Sequence, residues 1–95
     1  MAVMEITHRR SKLEICFEVL DVINQGVCKP TRIMYASNLS YAALTEVLST
    51  LKTSEFIHEQ KAKRSKYYIT PKGQDALHYY NKSLEGLHEL EAVAF

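Results

Sequence analysis

Residues 29–52, KPTRIMYASNLSYAALTEVLSTLK, decide the fold of this chain. Pro30 opens a short apolar turn of helix, and Asn38 and Leu39 interrupt it before a second helix that the hydroxyl of Ser40 can cap. This second helix has an inward stripe with spacings of three and four residues, formed by Leu44, Val47 or Leu48, and Leu51. A short helix, a tight turn and a capped helix together predict a helix-turn-helix.

The outward face of the second helix is short and mostly uncharged. Small and hydroxyl side chains allow a close approach to the edges of DNA bases, although the solvent face of an ordinary helical hairpin has a similar composition. The one carboxylate on this face, Glu46, likewise has two interpretations: it accepts a hydrogen bond from cytosine, or it is simply solvated. The candidate groove-facing residues are Ser40, Tyr41, Ala42, Thr45, Glu46 and Ser49.

Composition places the chain among small globular domains. Its 95 residues are 46% hydrophobic and 24% charged, which fits one domain with one small core. The formal net charge of +1 is unevenly distributed, because residues 1–72 hold 11 Lys and Arg against 7 Asp and Glu, whereas residues 73–95 hold 1 against 4. The basic and acidic ends are therefore expected to have different roles, and a chain this short gains stability from a partner surface.

The cysteines and histidines do not predict a metal centre. Cys16 and Cys28 lack the spacing of a zinc site, and Cys16 lies in an apolar helical stripe, which favours a buried thiol over a disulfide. The four histidines, at positions 8, 58, 78 and 88, are scattered and have no nucleophile or carboxylate at a catalytic spacing. We therefore expect no metal, no cofactor and no enzymatic activity.

Neither a signal peptide nor a membrane span is visible in the sequence. The start lacks a long apolar run, and no apolar stretch approaches the roughly 18 residues needed to cross a bilayer. We expect a cytoplasmic, nucleoid-associated protein with no membrane partner.

An N-terminal arm over residues 1–10 and one further helix precede the helix-turn-helix. Ser11 and Glu14 have the spacing of a capping box. Apolar residues then recur at helical intervals until residues 24–26 stop the helix, namely Leu13, Cys16, Phe17, Leu20 and Ile23. Residues 27–28 are expected to add at most a short third strand, because Pro30 restricts the backbone before it to extended conformations.

The segment after the helix-turn-helix predicts a β-hairpin with a basic tip. Residues 56–60 and 67–70 have the composition of two strands, and four cations lie between them: Lys61, Lys63, Arg64 and Lys66. A charged turn is commonly only solvated, but a tip directly after a helix-turn-helix lies where the phosphates of a duplex would pass. Together with Arg32 at the start of the first hairpin helix, these cations are the candidate phosphate contacts.

Thr70 and Pro71 begin the last helix, which is predicted to run to about residue 94. At 1.5 Å per residue, roughly 24 residues span about 36 Å, more than a core of this size covers. Apolar residues repeat along the helix at spacings of three and four, close to a coiled-coil seam: Leu77, Tyr80, Leu84, Leu87, Leu90 and Ala94. We expect this seam to pair with a second copy in a two-fold dimer, the alternative being a helix that folds back on its own domain.

The run of residues 29–40, together with Tyr68, Thr70, Lys72 and Gly73, resembles the small archaeal winged-helix DNA-binding proteins, often described as chromatin-associated. The resemblance covers residues 11–87. It implies a mainly α chain with a small β-hairpin wing, and a C-terminal helix that pairs with its partner as an antiparallel coiled coil. It also implies DNA-binding roles for Arg32, Tyr41, Thr45, Lys63, Arg64 and Lys66. The sequence departs from the family at Ser54 and Glu55, where related sequences often have a glycine.

These observations predict a winged helix-turn-helix over residues 11–70 and a dimerisation helix over residues 71–95. The expected function is that of a dimeric protein that binds double-stranded DNA, as a transcription regulator or as a chromatin protein. The alternative is a winged-helix module that binds protein and not DNA, because Glu46, Glu55 and Glu59 near the expected interface would repel phosphate. A ligand sensor with a tyrosine-lined pocket at the dimer interface is a further alternative.

Overall fold

The computed structural model describes residues 10–94, with side chains up to Gly86. The elements are α1 (Lys12–Asn24), α2 (Pro30–Ser37), α3 (Tyr41–Thr53), β1 (Ile57–Lys61), β2 (Ser65–Ile69) and α4 (Pro71–Ala94). A mainly helical chain with one antiparallel hairpin confirms the predicted fold class. Of the predicted N-terminal arm over residues 1–10, only Arg10 lies within the described residues, and the side chains of Leu87, Leu90 and Ala94 lie outside them.

Helix α1 begins with the predicted capping box. The Ser11 hydroxyl oxygen accepts a hydrogen bond from the Glu14 N–H at 3.1 Å, and the Glu14 carboxylate accepts one from the Ser11 N–H at 3.4 Å. Val19, Leu20 and Ile23 are buried, but Leu13 is 61% exposed. The prediction that Leu13 belongs to the core stripe is therefore wrong, because the first turn of α1 lies at the edge of the core and leaves that side chain uncovered.

Helices α1, α2 and α3 end in the same way, with one residue in the left-handed region. That residue is Gly26 after α1, Asn38 after α2 and Glu55 after α3, with φ values of 102°, 54° and 63°. After α3, the N–H groups of Glu55 and Phe56 donate to the carbonyl oxygens of Lys52 and Leu51, both at 3.0 Å. This Schellman pattern favours glycine at the left-handed position, which this chain fills with Glu55.

The helix-turn-helix forms as predicted. Asn38 turns the chain, and the Ser40 hydroxyl oxygen caps α3 by accepting from the Ala43 N–H at 3.2 Å. Only Ile33 of the apolar turn in α2 is fully buried, whereas Tyr35 is 75% exposed. Val47 and Leu48, which were alternatives for one position of the inward stripe of α3, are both buried. The core therefore contains four residues of this helix: Leu44, Val47, Leu48 and Leu51.

The wing is a two-stranded antiparallel hairpin in which Ile57 pairs with Ile69 and Lys61 with Ser65. Residues 62–64 form its tip, so Lys61 and Lys66 lie in the strands and only Lys63 and Arg64 lie at the turn. Within the described residues the expected third strand is reduced to one hydrogen bond, from the Tyr67 N–H to the Cys28 carbonyl at 2.9 Å. The segment cannot extend further because α2 begins at Pro30, which has no N–H to donate.

Helix α4 is fixed to the loop between α3 and the wing. The Thr70 hydroxyl donates to the Glu55 carbonyl at 2.6 Å and accepts from the Gly73 N–H at 3.0 Å, as expected for a helix cap. Gly73 is required by close packing, since a Cβ atom there would lie 2.1 Å from the Phe56 carbonyl oxygen. Further along, Leu77 is buried in the core, and no helix in the described part of the chain is both long and apolar enough to cross a membrane.

Candidate nucleic-acid interface

The outward face of α3 is exposed at every predicted groove-facing position. Tyr41 is 72% exposed, and Ala42, Thr45, Glu46 and Ser49 are also exposed. The Thr45 hydroxyl donates to the Tyr41 carbonyl at 2.9 Å, so its proton is used within the helix and its oxygen remains free to accept. The face therefore offers small side chains, a phenol and hydroxyl oxygens to a partner.

Glu46, the one carboxylate of this face, forms an ion pair with a lysine of α1. Its carboxylate lies 3.4 Å from the ammonium group of Lys12, at the start of α1, and both side chains are largely exposed. An exposed pair of this kind contributes little stability, but it offsets the negative charge of Glu46 at the edge of α3. Sequence reasoning missed Lys12, because nothing local indicates that the first turn of α1 crosses the outer side of α3.

Two clefts flank the wing. The first, which we call the helix–wing cleft, has a volume of about 290 Å³ and lies between α3 and β2. It brings together three of the predicted groove-facing residues with the end of α3 and with two residues of the wing. Its polar lining is Tyr41, Thr45, Ser49, Lys52, Ser65 and Tyr67.

The second, which we call the cationic cleft, has a volume of about 350 Å³ and lies between the start of α2 and the wing. Its cations are Lys29, Arg32, Arg64 and Lys66, and none of the described side chains that line it is acidic. The first N–H groups of α2 also lack a side-chain cap, so they and the positive end of the helix dipole add to the field for an anion. The two clefts share Pro30 and Ser65, and they therefore form one continuous surface.

The structure thus joins three of the predicted phosphate contacts, Arg32, Arg64 and Lys66, and adds Lys29. Lys61 and Lys63 are exposed on the wing but do not line either cleft. The sequence signal for Lys29 was its place immediately before Pro30. The place of Lys29 in the cationic cleft depends on the Tyr67–Cys28 hydrogen bond, which holds β2 beside the start of α2.

The wing is held against α3 by an ion pair. The Lys52 ammonium lies 2.7 Å from the Glu59 carboxylate, which also accepts a hydrogen bond from the Ser65 hydroxyl. The Glu59 side chain is only 11% exposed, against 43% for Lys52. The hydrogen bond from Lys52, and after it the one from Ser65, lower the pKa of Glu59, and the bond to Glu59 raises the pKa of Lys52.

This arrangement removes one objection to an anionic partner. Glu59 was expected to repel phosphate, but its charge is paired and directed into the contact between α3 and the wing. Desolvation, and after it the nearby Glu59 carboxylate, raise the pKa of Tyr67, so its phenol stays neutral in the helix–wing cleft. Of the three glutamates expected to repel phosphate, only Glu55, in the turn before β1, has no ion pair among the described residues.

The residues predicted for a dimer interface divide along α4. Leu77 belongs to the core of its own chain, and Tyr80 stacks on Phe17 of α1 with ring centroids 4.1 Å apart and planes 3° from parallel. Leu84 is half-buried. The start of the seam therefore packs within the chain itself, and pairing with a second copy stays a prediction for the outer part of the seam.

The described residues were also compared with the expectations for metal ligands and cysteines. No group of three or more His, Cys, Asp or Glu side chains there is arranged to hold a metal ion. Cys16 and Cys28 are both free thiols. Burial, and after it the nearby Glu46 carboxylate, raise the pKa of the Cys16 thiol, which makes it a weak nucleophile at neutral pH.

A model of winged helix-turn-helix domains matches residues 9–88, which is most of the chain. The chain belongs to the winged helix-turn-helix family. This winged helix-turn-helix protein is also similar to two uncharacterized proteins of the archaeon Methanocaldococcus jannaschii. One is 38% identical over 56 residues, covering 59% of this chain and 58% of the relative, and the other is 35% identical over 66 residues, covering 70% and 30%. The winged helix-turn-helix chain thus spans less than two thirds of the length of each relative.

Solved structures share the winged helix-turn-helix fold. The DNA-binding protein Sso10a-2 from Sulfolobus solfataricus superposes with a TM-score of 0.68 at 24% identity, covering 90% of this chain and 93% of that one. The transcriptional regulator BldR from the same organism has a TM-score of 0.71 at 19% identity, over 84% and 60%. MepR, a transcription regulator of a Staphylococcus aureus multidrug efflux pump, has a TM-score of 0.75 at 11% identity, over 99% and 71%. The family match and the archaeal relatives confirm the resemblance found in the sequence, and the structures confirm the fold.

Proposed function

We propose that this winged helix-turn-helix protein binds double-stranded DNA as a homodimer and regulates transcription. The observation that carries the proposal is the cationic cleft, in which four cations and the start of α2 meet directly beside the uncharged outer face of α3. A surface of this kind combines an anion site with a helix that can approach base edges. Catalysis is not part of the proposal.

The phosphate backbone is the proposed ligand of the cationic cleft. Arg32 and Arg64 can each bind a phosphate through two N–H groups. The first N–H groups of α2 lie at the same cleft and can donate to a phosphate bound there. Lys29 and Lys66 add charge without fixed geometry. A backbone strand that enters this cleft then continues along the helix–wing cleft, because the two share Pro30 and Ser65.

The proposed reader of the major groove is α3. Ala42, Thr45 and Ser49 are short enough for the helix to enter the groove, and Tyr41 stands at its start. The face has no arginine, asparagine or glutamine, which are the residues that form the best bidentate contacts with guanine and adenine. Direct discrimination between bases is therefore expected to be modest, and DNA shape is expected to contribute to specificity.

A dimer is the proposed functional unit. The outer part of α4 carries the predicted seam from Leu84 to Ala94, and the resemblance to small archaeal proteins implies an antiparallel coiled coil. Two copies of α3 related by a two-fold axis would bind half-sites about 34 Å apart. The names of the structural neighbours, a DNA-binding protein and two transcription regulators, support the regulator in preference to a purely architectural role. A location at the nucleoid in the cytoplasm follows from the same proposal.

The test is a salt titration with duplex DNA. If a dimer contacts roughly six phosphates, log K should fall with log salt concentration at a slope of about −5. Arg32→Ala removes one proposed phosphate contact per protomer, and should flatten that slope by about 2 for the dimer. Lys82→Ala, which removes an exposed cation on α4 outside both clefts, is the matched control and should leave the slope unchanged.

The outcomes separate the two candidate functions. Equal slopes for Arg32→Ala and Lys82→Ala would show that the cationic cleft does not bind the backbone. No salt-dependent binding by the parent protein would reject DNA as the ligand and favour the protein-binding module. A random duplex and a library of genomic fragments, compared at one salt concentration, then distinguish a regulator from an architectural protein.

A further inference from the structure

The helix–wing cleft has an aromatic side chain on each side and an apolar floor. Tyr41 lines it from the start of α3 and Tyr67 lines it from β2. Leu44 and Leu48 also line the cleft, and because they are core residues only 1% and 6% exposed, they form its floor. The cleft therefore offers two aromatic rings and an apolar surface to a flat, uncharged group.

The charges of the two clefts are divided. Among the described residues that line the helix–wing cleft, only Lys52 is ionised, and its ammonium group is paired with Glu59 at 2.7 Å. The phenol of Tyr67 stays neutral, because burial raises its pKa. The adjoining cationic cleft instead holds four cations and no acidic side chain among its described residues. The first cleft thus suits an uncharged ring, and the second suits an anion.

We propose that the two clefts together bind an unpaired nucleotide of single-stranded DNA. Its base would lie in the helix–wing cleft against Tyr41 and Tyr67, and its phosphate would lie in the cationic cleft. One sugar joins the base to the phosphate, so the two sites must adjoin, and the clefts meet this requirement because they share Pro30 and Ser65. Aromatic rings beside a positively charged groove are the usual means by which proteins hold a single strand.

The size of the helix–wing cleft agrees with a single base. Its volume of about 290 Å³ lies at the lower end of the range for small-molecule sites, which begins at roughly 300 Å³. A space of this size suits one ring system and is too small for a base pair with its sugars. The cationic cleft, at about 350 Å³, provides separate room for the phosphate.

A duplex cannot use this base site. Paired bases are stacked on their neighbours, so their faces are covered, and only an unpaired base can place a face against a tyrosine. The backbone of a duplex can pass over the opening of the cleft without reaching its floor. The inference rests on the proposed function in taking DNA as the partner and the cationic cleft as the phosphate site, and it adds an activity that duplex binding does not require.

The test compares two single strands that differ only in their bases. One is an oligothymidylate of about ten nucleotides, and the other is an abasic strand with the same number of phosphates. Because both carry the same charge, the ratio of their affinities measures the contribution of the bases. Fluorescence anisotropy at one salt concentration should show that the parent protein binds the oligothymidylate about tenfold more tightly.

Tyr67 provides the variants that assign this preference to the cleft. Tyr67→Leu removes the ring but keeps an apolar side chain against the core, and should reduce the preference for bases about fivefold. Tyr67→Phe retains the ring and should retain the preference. Tyr79→Leu is the matched control, because Tyr79 is 72% exposed on α4 and lines neither cleft. Thermal unfolding of each variant shows whether the fold is retained.

Three results would overturn the proposal. The first is equal affinity of the parent protein for the two strands, and the second is an equal loss of preference in Tyr67→Leu and Tyr79→Leu. The third is displacement of a labelled oligothymidylate by thymidine monophosphate as effectively as by the unlabelled strand, at equal concentrations of nucleotide. That result would assign the site to a free nucleotide, whereas a strand should bind more tightly because several phosphates meet the cations together.

Failure of this inference can be distinguished from failure of the proposed function. If Arg32→Ala flattens the salt dependence of duplex binding but the parent protein does not prefer bases, only the single-strand site is rejected. If the parent protein prefers the oligothymidylate but does not bind a duplex, the proposed function is rejected and the single-strand site remains.

Discussion

Gly73→Ala tests the contact that fixes α4 to the base of the wing. A Cβ at this position would lie 2.1 Å from the Phe56 carbonyl oxygen and 2.9 Å from the Ile69 Cγ1 atom. The carbonyl cannot move freely, because it accepts a hydrogen bond from the Thr70 N–H at 2.9 Å. The added methyl group must therefore displace backbone, and not only the end of a flexible side chain.

The expected change is the difference between two opposing effects. Alanine favours a helix interior over glycine by about 1 kcal/mol. Overpacking costs about 1–3 kcal/mol, and breaking the Phe56–Thr70 hydrogen bond adds about 1 kcal/mol. We expect a net loss of about 2 kcal/mol, which lowers the midpoint of thermal unfolding by roughly 10 °C in a domain of this size.

Gly86→Ala is the matched control in the same helix. No atom lies within 4 Å of a Cβ built at Gly86, so only the helix preference remains, and the variant should be more stable by about 1 kcal/mol. Both variants are measured by thermal and urea unfolding at several fixed protein concentrations, since dimerisation makes the midpoint depend on concentration. A Gly73→Ala protein at least as stable as the parent would refute the close approach of α4 to Phe56.

Three further predictions concern the wing, the turn and the dimer. Glu59→Gln should weaken duplex binding by loosening the wing. Because the hydrogen bonds from Lys52 and Ser65 lower the pKa of folded Glu59, its charge stabilises the fold above the unfolded-state pKa of about 4.3, and this advantage over Gln is lost as the pH falls through the lowered value. Urea unfolding of the two proteins at neutral pH and at acid pH should show the difference shrinking. Glu55→Gly should raise the free energy of unfolding by about 1 kcal/mol, because φ is 63° there, with no gain expected from Glu55→Ala. Leu84→Asp should convert the proposed dimer to a monomer in sedimentation equilibrium, and an unchanged mass would exclude the seam.

Local signals in the sequence predicted the helix ends well. Ser11 and Ser40 act as the caps that their spacing indicated, and Gly26 and Asn38 end their helices in left-handed conformations. Each signal depends on a few neighbouring residues and on backbone sterics. Glu55 adopts the same conformation although its side chain gives no such signal, so the sequence placed the end of α3 near this residue but did not indicate its left-handed backbone.

The composition of the interface could be predicted only in part. The outward face of α3 follows from helical periodicity, and the wing cations follow from the charge run. The cationic cleft depends instead on how β2 lies against the start of α2, which the Tyr67–Cys28 hydrogen bond determines across almost forty residues. The pairing of Lys52 with Glu59 likewise requires the angle between α3 and the wing, which periodicity does not contain.

The ion pairs of the described residues make the net charge of the protein a poor measure of the charge at the cationic cleft. Three carboxylates are matched within the fold, in the pairs Arg10–Glu18, Lys12–Glu46 and Lys52–Glu59. The cationic cleft takes no part in these pairs, so it keeps a local positive potential that the isoelectric point of about 7.8 conceals. Near that pH the net charge is close to zero, so the molecules barely repel one another and are prone to self-association. A polyanion can still bind the positively charged cationic cleft. Retention on an ion-exchange column would therefore be a poor guide to affinity for DNA.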